Sequence, residues 1–189
     1  MDSYIKLTKE QIDEMMNKAV QIGAQEAIRM YEKKLKSEYR EKSDRRLRNT
    51  KLLLRNFHML KEHAESSVFG KSQMVDSASD ILSSMMNIYD DDVVIDSIKR
   101  SATRTAIIVA HVETMLGLYE AYCEKESSQS LERRRYEVMY DKYIADPAMT
   151  VKEIADKQQM SKENVYADLR IAIEHLTALL FGVDGLKAH

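Results

Sequence analysis

The chain has 189 residues, 44% of them hydrophobic, with one Pro, five Gly, one Cys, no Trp and a formal net charge of −2. This is enough apolar content for a real core and too little Pro and Gly for a disordered or fibrous chain. The charge balance excludes a global electrostatic attraction to nucleic acid, so any such binding must rest on local patches. The lone cysteine, Cys123, excludes an internal disulfide and fits a reduced, cytoplasmic compartment. No window approaches the roughly 18 uninterrupted apolar residues of a membrane span. Met, Leu, Ala, Glu and Lys supply much of the rest, and local propensity predicts an all-α protein.

In chain order, Thr8 and Gln11 satisfy the capping-box pattern and open a helix with apolar residues at Ile12, Met16, Ala19, Ala27, Tyr31, Leu35 and Tyr39. Unbroken to about Glu65 it would span on the order of 85 Å, a length that needs a second long helix or a second chain beside it. Residues 40–46, REKSDRR, carry no apolar side chain and predict a kink or a solvated crossing. Residues 32–55 hold ten Lys or Arg against four Asp or Glu, a stretch suited either to a DNA backbone or acidic partner or to plain solvation.

Residues 66–76, with Gly70 and several serines, read as a loop. The GKS at 70–72 is no phosphate loop, because Glu65 stands where the earlier glycine would be required and a helix rather than a strand precedes it. A short amphipathic helix follows on Ala78, Ile81, Leu82, Met85 and Tyr89. Asp90, Asp91 and Asp92 then place negative charge at the start of another helix, predicted to run to about Glu126. Its stripe of Ile95, Ile98, Ala102, Ala106, Val109, Val112, Leu116 and Tyr119 is wide enough to pack antiparallel to the first long helix. Residues 126–130, ESSQS, are the expected boundary between an N-terminal long-helix domain, 1–126, and a C-terminal domain, 131–189.

In the C-terminal part, 131–144 forms a helix with Tyr136, Met139, Tyr140 and Tyr143 inward, ended by Asp146-Pro147. Thr150 and Glu153 make a second capping box, and Ser161 caps a final helix, 161–181, which Gly182 stops. Ile154 and Ala155 inward, Met160 in the turn and Val165 beneath give the helix-turn-helix pattern, with Ala155 small enough for a steep crossing. In that geometry Ser161, Lys162, Asn164, Tyr166 and Arg170 face double-stranded DNA. Asn164 could read an adenine edge, while Lys152, Lys162 and Arg170 suit phosphate. Two features weigh toward a plain helical packing unit: residues 131–189 contain nine Lys or Arg against ten Asp or Glu, and Gln159 occupies a turn position where glycine is common.

The segment from Met149 to Leu186, MTVKEIADKQQMSKENVYADLRIAIEHLTALLFGVDGL, resembles the C-terminal module of phage-associated transcriptional regulators of Gram-positive bacteria, the ArpU and RinA type. Such modules are similar to region 4 of sigma factors. The portion from Val165 to Leu186 is its most specific piece, and residues 45–63 and 97–119 extend the likeness upstream. The resemblance implies a phage or prophage transcription regulator, often a late-gene activator, with Lys162, Asn164, Tyr166 and Arg170 on the DNA face. Asp168 departs from the apolar residue that sigma factors tend to carry there.

The expected protein is thus an all-helical, sequence-specific DNA-binding regulator whose long N-terminal helices dimerise or contact RNA polymerase. A dimer would place its reading helices about 34 Å apart or a multiple of that. The alternative is a helical adaptor or assembly protein that binds another protein. No enzyme, metal or cofactor is expected: no nucleophile lies beside a base, and His58, His63 and His111 lack ligand spacing. Ser101 to Thr105, around Arg104, reads as an internal hydrogen-bonded clasp, and the twelve methionines as core filling.

Overall fold

The computed structural model describes residues 8–65, 77–125 and 131–182. The 66–76 loop with its GKS, the 126–130 boundary and the Val183 to Leu186 end of the resemblance lie outside the described residues. The described residues form eight helices and no strand, an all-α fold: α1 Lys9–Arg55, α2 Phe57–Glu65, α3 Ala78–Met85, α4 Asp91–Lys99, α5 Ala102–Lys125, α6 Leu131–Tyr143, α7 Val151–Lys157 and α8 Lys162–Phe181. None of them is long and apolar enough to cross a membrane.

The helix starts follow local chemistry. At Thr8 the capping box closes in both directions, with Gln11 N–H donating to the Thr8 hydroxyl and Thr8 N–H to the Gln11 amide oxygen. The same reciprocal pair holds at Ser77 and Asp80, and Asp90 accepts the amides of Asp92 and Val93. Helix α1 continues through 40–46, with Arg40, Glu41, Lys42 and Asp44 exposed there, and the turn that separates it from α2 is at Asn56, whose side-chain amide donates to the Leu52 carbonyl. A second break, at Arg100 and Ser101, divides the expected single helix into α4 and α5. Ser101 and Thr105 shape that break: Thr105 Oγ1 donates to the carbonyls of Ile98 and Ser101 at 3.1 Å, and Arg104 donates to the Ser84 hydroxyl at 2.6 Å. This is the expected clasp.

The chain divides into two compact units, Met1–Glu41 and Lys42–His189. The described part of the first unit is one helix, and most of its apolar residues, Ile12, Met16, Tyr31 and Tyr39 among them, are exposed, with Leu35 half-buried. The second unit has one core. Leu53, Leu54, Leu60, Ile81, Met85, Ile98 and Ile108 are fully buried in it together with Met139, Ile154 and Leu176. At about 2 kcal/mol for each fully buried aliphatic side chain, such a cluster is the main source of its stability. The stripe of α5 packs against α2, which lies within the span expected for the first long helix, and also against α6 and α8. The division therefore falls at Glu41 and Lys42, whereas 126–130 was expected. Helices on both sides of 126–130 share one core because α5 buries Val112, Leu116 and Tyr119 beneath α6 and α8.

Candidate nucleic-acid interface

Helices α6, α7 and α8 lie in contact, with α8 packed on both α6 and α7. Thr150 caps α7 through the box with Glu153, the two bonds measuring 2.7 and 3.3 Å. The Thr150 N–H donates to the Glu153 carboxylate and, with the Thr150 hydroxyl beside it, holds it below the usual glutamate range. Helix α7 ends in a paired closure: Met160 N–H donates to the Ala155 carbonyl at 3.0 Å and Gln159 N–H to that of Asp156 at 3.4 Å. This closure requires a left-handed residue, and Gln159 supplies it at φ 52°. Met160, half-buried against the core, and Ile154 and Ala155, both buried, fill the turn as the spacing predicts. Ser161 then accepts the amide of Asn164 at 3.2 Å and starts α8.

Helix α8 is bound to the core along one side by Val165, Leu169, Ala172, Ile173 and Leu176. On the other side Lys162, Tyr166 and Arg170 are all exposed, Tyr166 at 61%. Their spacing of four aligns them in one stripe over the first turns. Asn164 is also exposed but stands away from that stripe, at the edge of a groove of about 670 Å³ lined by Arg134, Gln158, Gln159 and Ser161 among others. Ser161 is exposed as well, with its hydroxyl engaged in the cap, and Lys152 is exposed on α7. The six candidate residues thus reach solvent in two groups on α8, plus Lys152. Glu163 and Glu174 lie on the stripe side of α8, and the Glu163 carboxylate is held low by its own backbone amide and the Ser161 hydroxyl. The surface is therefore mixed in charge.

Asp168 turns inward and is buried. Arg134 of α6 grips it with two bonds, of 2.8 and 3.3 Å, and Arg135 Nε lies 3.7 Å away. Arg135 in turn pairs with Glu132. The carboxylate that departs from the sigma factor pattern is a structural anchor for α8, and its arginine partners went unnoticed in the sequence because they lie a helix away. Glu132 also meets His175 Nδ1 at 3.0 Å and the Tyr119 hydroxyl at 3.4 Å, which ties α5, α6 and α8 together. Burial, with the Glu132 charge beside it, pushes the Tyr119 phenol well above its ordinary range, so Tyr119 stays neutral. Of the expected inner stripe of α6, Tyr136 and Met139 are buried, while Tyr140 is exposed and Tyr143 half-buried.

The basic stretch 32–55 is partly committed within the fold. Arg45 donates to the Met86 carbonyl at 3.0 Å and stacks 4.4 Å over the Tyr89 ring. Arg48 donates to the carbonyls of Ile88 and Tyr89 and lies 3.6 Å from Asp91. Of the histidines, His63 meets the Lys99 carbonyl at 3.3 Å and His111 that of Leu180 at 3.4 Å. Comparison with protein-family models, with characterised proteins and with solved structures returns no match.

Proposed function

We propose that the chain is a sequence-specific DNA-binding transcription regulator that uses α8 as its recognition helix. The observation that carries this reading is the Lys162, Tyr166 and Arg170 stripe, exposed on a helix whose opposite side is fixed in the core. A helix held from behind, with a cation at its first turn and another two turns on, suits entry into a major groove. Lys162, Arg170 and Lys152 would hold phosphate, and Tyr166 would pack against sugar or base edges. Asn164, off the stripe, would meet the flank of the site. The resemblance to ArpU and RinA regulators adds the expectation of a phage or prophage setting, late-gene activation and contact with RNA polymerase inside the cell.

The test is a gel shift on sites selected from genomic fragments, run across a salt series. Lys162→Ala and Arg170→Ala are each expected to weaken binding by about tenfold and to reduce its salt dependence. Wild-type affinity in both variants would remove α8 from the interface. The mixed charge of the surface, with Glu163 and Glu174 beside the cations, favours one rival, a protein partner. Binding of that kind would change little with ionic strength.

A further inference from the structure

From the first unit we infer that a second copy of this chain covers its helix, in an antiparallel, two-fold pair. Most apolar side chains of 9–41 are exposed in the described structure: Ile12 is 44% exposed, Met16 62%, Val20 69%, Ile28 60% and Tyr31 63%, while Leu35 is half-buried. A lone helix gains little stability from propensity in water, and one that leaves a continuous apolar stripe wet is completed by a partner. The stripe has a register. Ile12 and Gly23, Met16 and Ala27, Val20 and Tyr31, and Ala24 and Leu35 are each eleven residues apart. An eleven-residue repeat stays nearly in line with the axis of an α-helix, with a slight right-handed drift, so two such helices can remain in contact over many turns.

Charge selects the partner and its direction. Residues 9–26 carry two Lys against four Asp or Glu, and residues 27–41 carry five Lys or Arg against three Glu. Each helix is therefore acidic in its first half and basic in its second. A parallel pair would set Glu10, Asp13 and Glu14 beside their own copies, and Lys33, Lys34 and Lys36 beside theirs. An antiparallel pair sets the acidic half against the basic half.

The same direction aligns the apolar side chains. With a two-fold axis between Gly23 and Ala24, Ile12 meets Leu35 of the second copy, Met16 meets Tyr31 and Ala19 meets Ile28, while Asp13 faces Lys34 and Glu14 faces Lys33. The smallest residues, Ala19, Gly23, Ala24 and Ala27, gather at the crossing, where two backbones come closest. Gly23 supports this placement independently. A glycine weakens a lone helix, and the space its side chain would occupy is open in this chain, so nothing within the chain requires it. The exposed pair of Glu14 with Lys18 at 2.8 Å is a surface contact that a cross-chain partner can replace.

The inference does not rest on DNA binding. Sedimentation equilibrium of the full chain should give twice the 21.9 kDa chain mass. Val20→Glu with Ile28→Glu should convert it to a monomer that keeps the helical signal of the second unit. Lys33→Glu with Lys34→Glu should weaken the dimer at least tenfold, and adding Asp13→Lys with Glu14→Lys should restore it, a rescue that a parallel pair cannot give. Mixed Ile12→Cys and Leu35→Cys chains should form the mixed disulfide, and Ile12→Cys alone should form none. A monomeric wild type, a dimer that survives Val20→Glu with Ile28→Glu, or a disulfide between two Ile12→Cys chains would each overturn the inference, while leaving the gel-shift outcome for α8 to stand or fall by itself.

Discussion

At the scale of single residues, α8 is held by a charge below its surface: Asp168 is buried between Arg134 and Arg135. Asp168→Ala would strand a charged arginine pair and should cost about 3 kcal/mol in a urea melt. Asp168→Asn, which keeps an acceptor, should cost less. Gln159 could be seen in the sequence as a departure from glycine but its conformation could not; with φ 52° it bears a left-handed strain of about 1 kcal/mol. Gln159→Gly should therefore stabilise the protein by about 0.5 kcal/mol, read as a rise in the denaturant midpoint. Asp80, Glu153 and Glu163 all titrate below their ordinary values because hydrogen bonds at helix starts favour the anion. Their contribution is complete above the unfolded values and is lost as pH falls through the folded ones. Thermal stability should then decline below about pH 4.5, the ordinary glutamate value, and less steeply in Glu153→Gln.

At the scale of elements, what was legible was what is local. The boxes at Thr8 and Thr150, the caps at Asp90 and Ser161 and the stop at Gly182 depend on residues within a few positions of one another, and each appears where the sequence places it. Ser161→Ala should cost about 1 kcal/mol, the usual loss for a hydroxyl cap. The break between α4 and α5 was not legible, because the apolar stripe runs through it while the interruption comes from hydroxyls bonding to backbone carbonyls. The packing of α5 on α6 and α8 was not legible either, since periodicity gives a buried face and not all of its partners. The stripe on α8 is local as well: Lys162, Tyr166 and Arg170 follow from helical spacing, and the same spacing sets Asn164, two residues from Lys162 and from Tyr166, on another side of the helix. Because Tyr166 is mostly solvated, Tyr166→Ala should leave stability within about 0.5 kcal/mol and still weaken DNA binding, which separates contact from folding in one pair of measurements.

At the scale of the whole molecule, the core ties the last three helices to residues far upstream. Thr177 of α8 donates to the Thr50 hydroxyl at 2.9 Å, and the Tyr119 ring packs edge-on against Tyr136 with centroids 5.3 Å apart. A fragment of residues 42–189 should melt within about 4 °C of the full chain in calorimetry, because its core is its own. Residues 131–189 alone should lose cooperative unfolding, since Leu176, Thr177 and His175 would be stripped of their partners. The hold of Arg45 and Arg48 on the carbonyls after α3 carries a practical consequence for anyone scanning the cation-rich region. Neutralising those two guanidiniums releases the corner that leads into α4, so the damage will register as a lower melting point. Neutralising Lys33, Lys34 or Lys36 leaves that corner untouched, so the proposed pairing of two chains expects a change in association there without the loss of that corner.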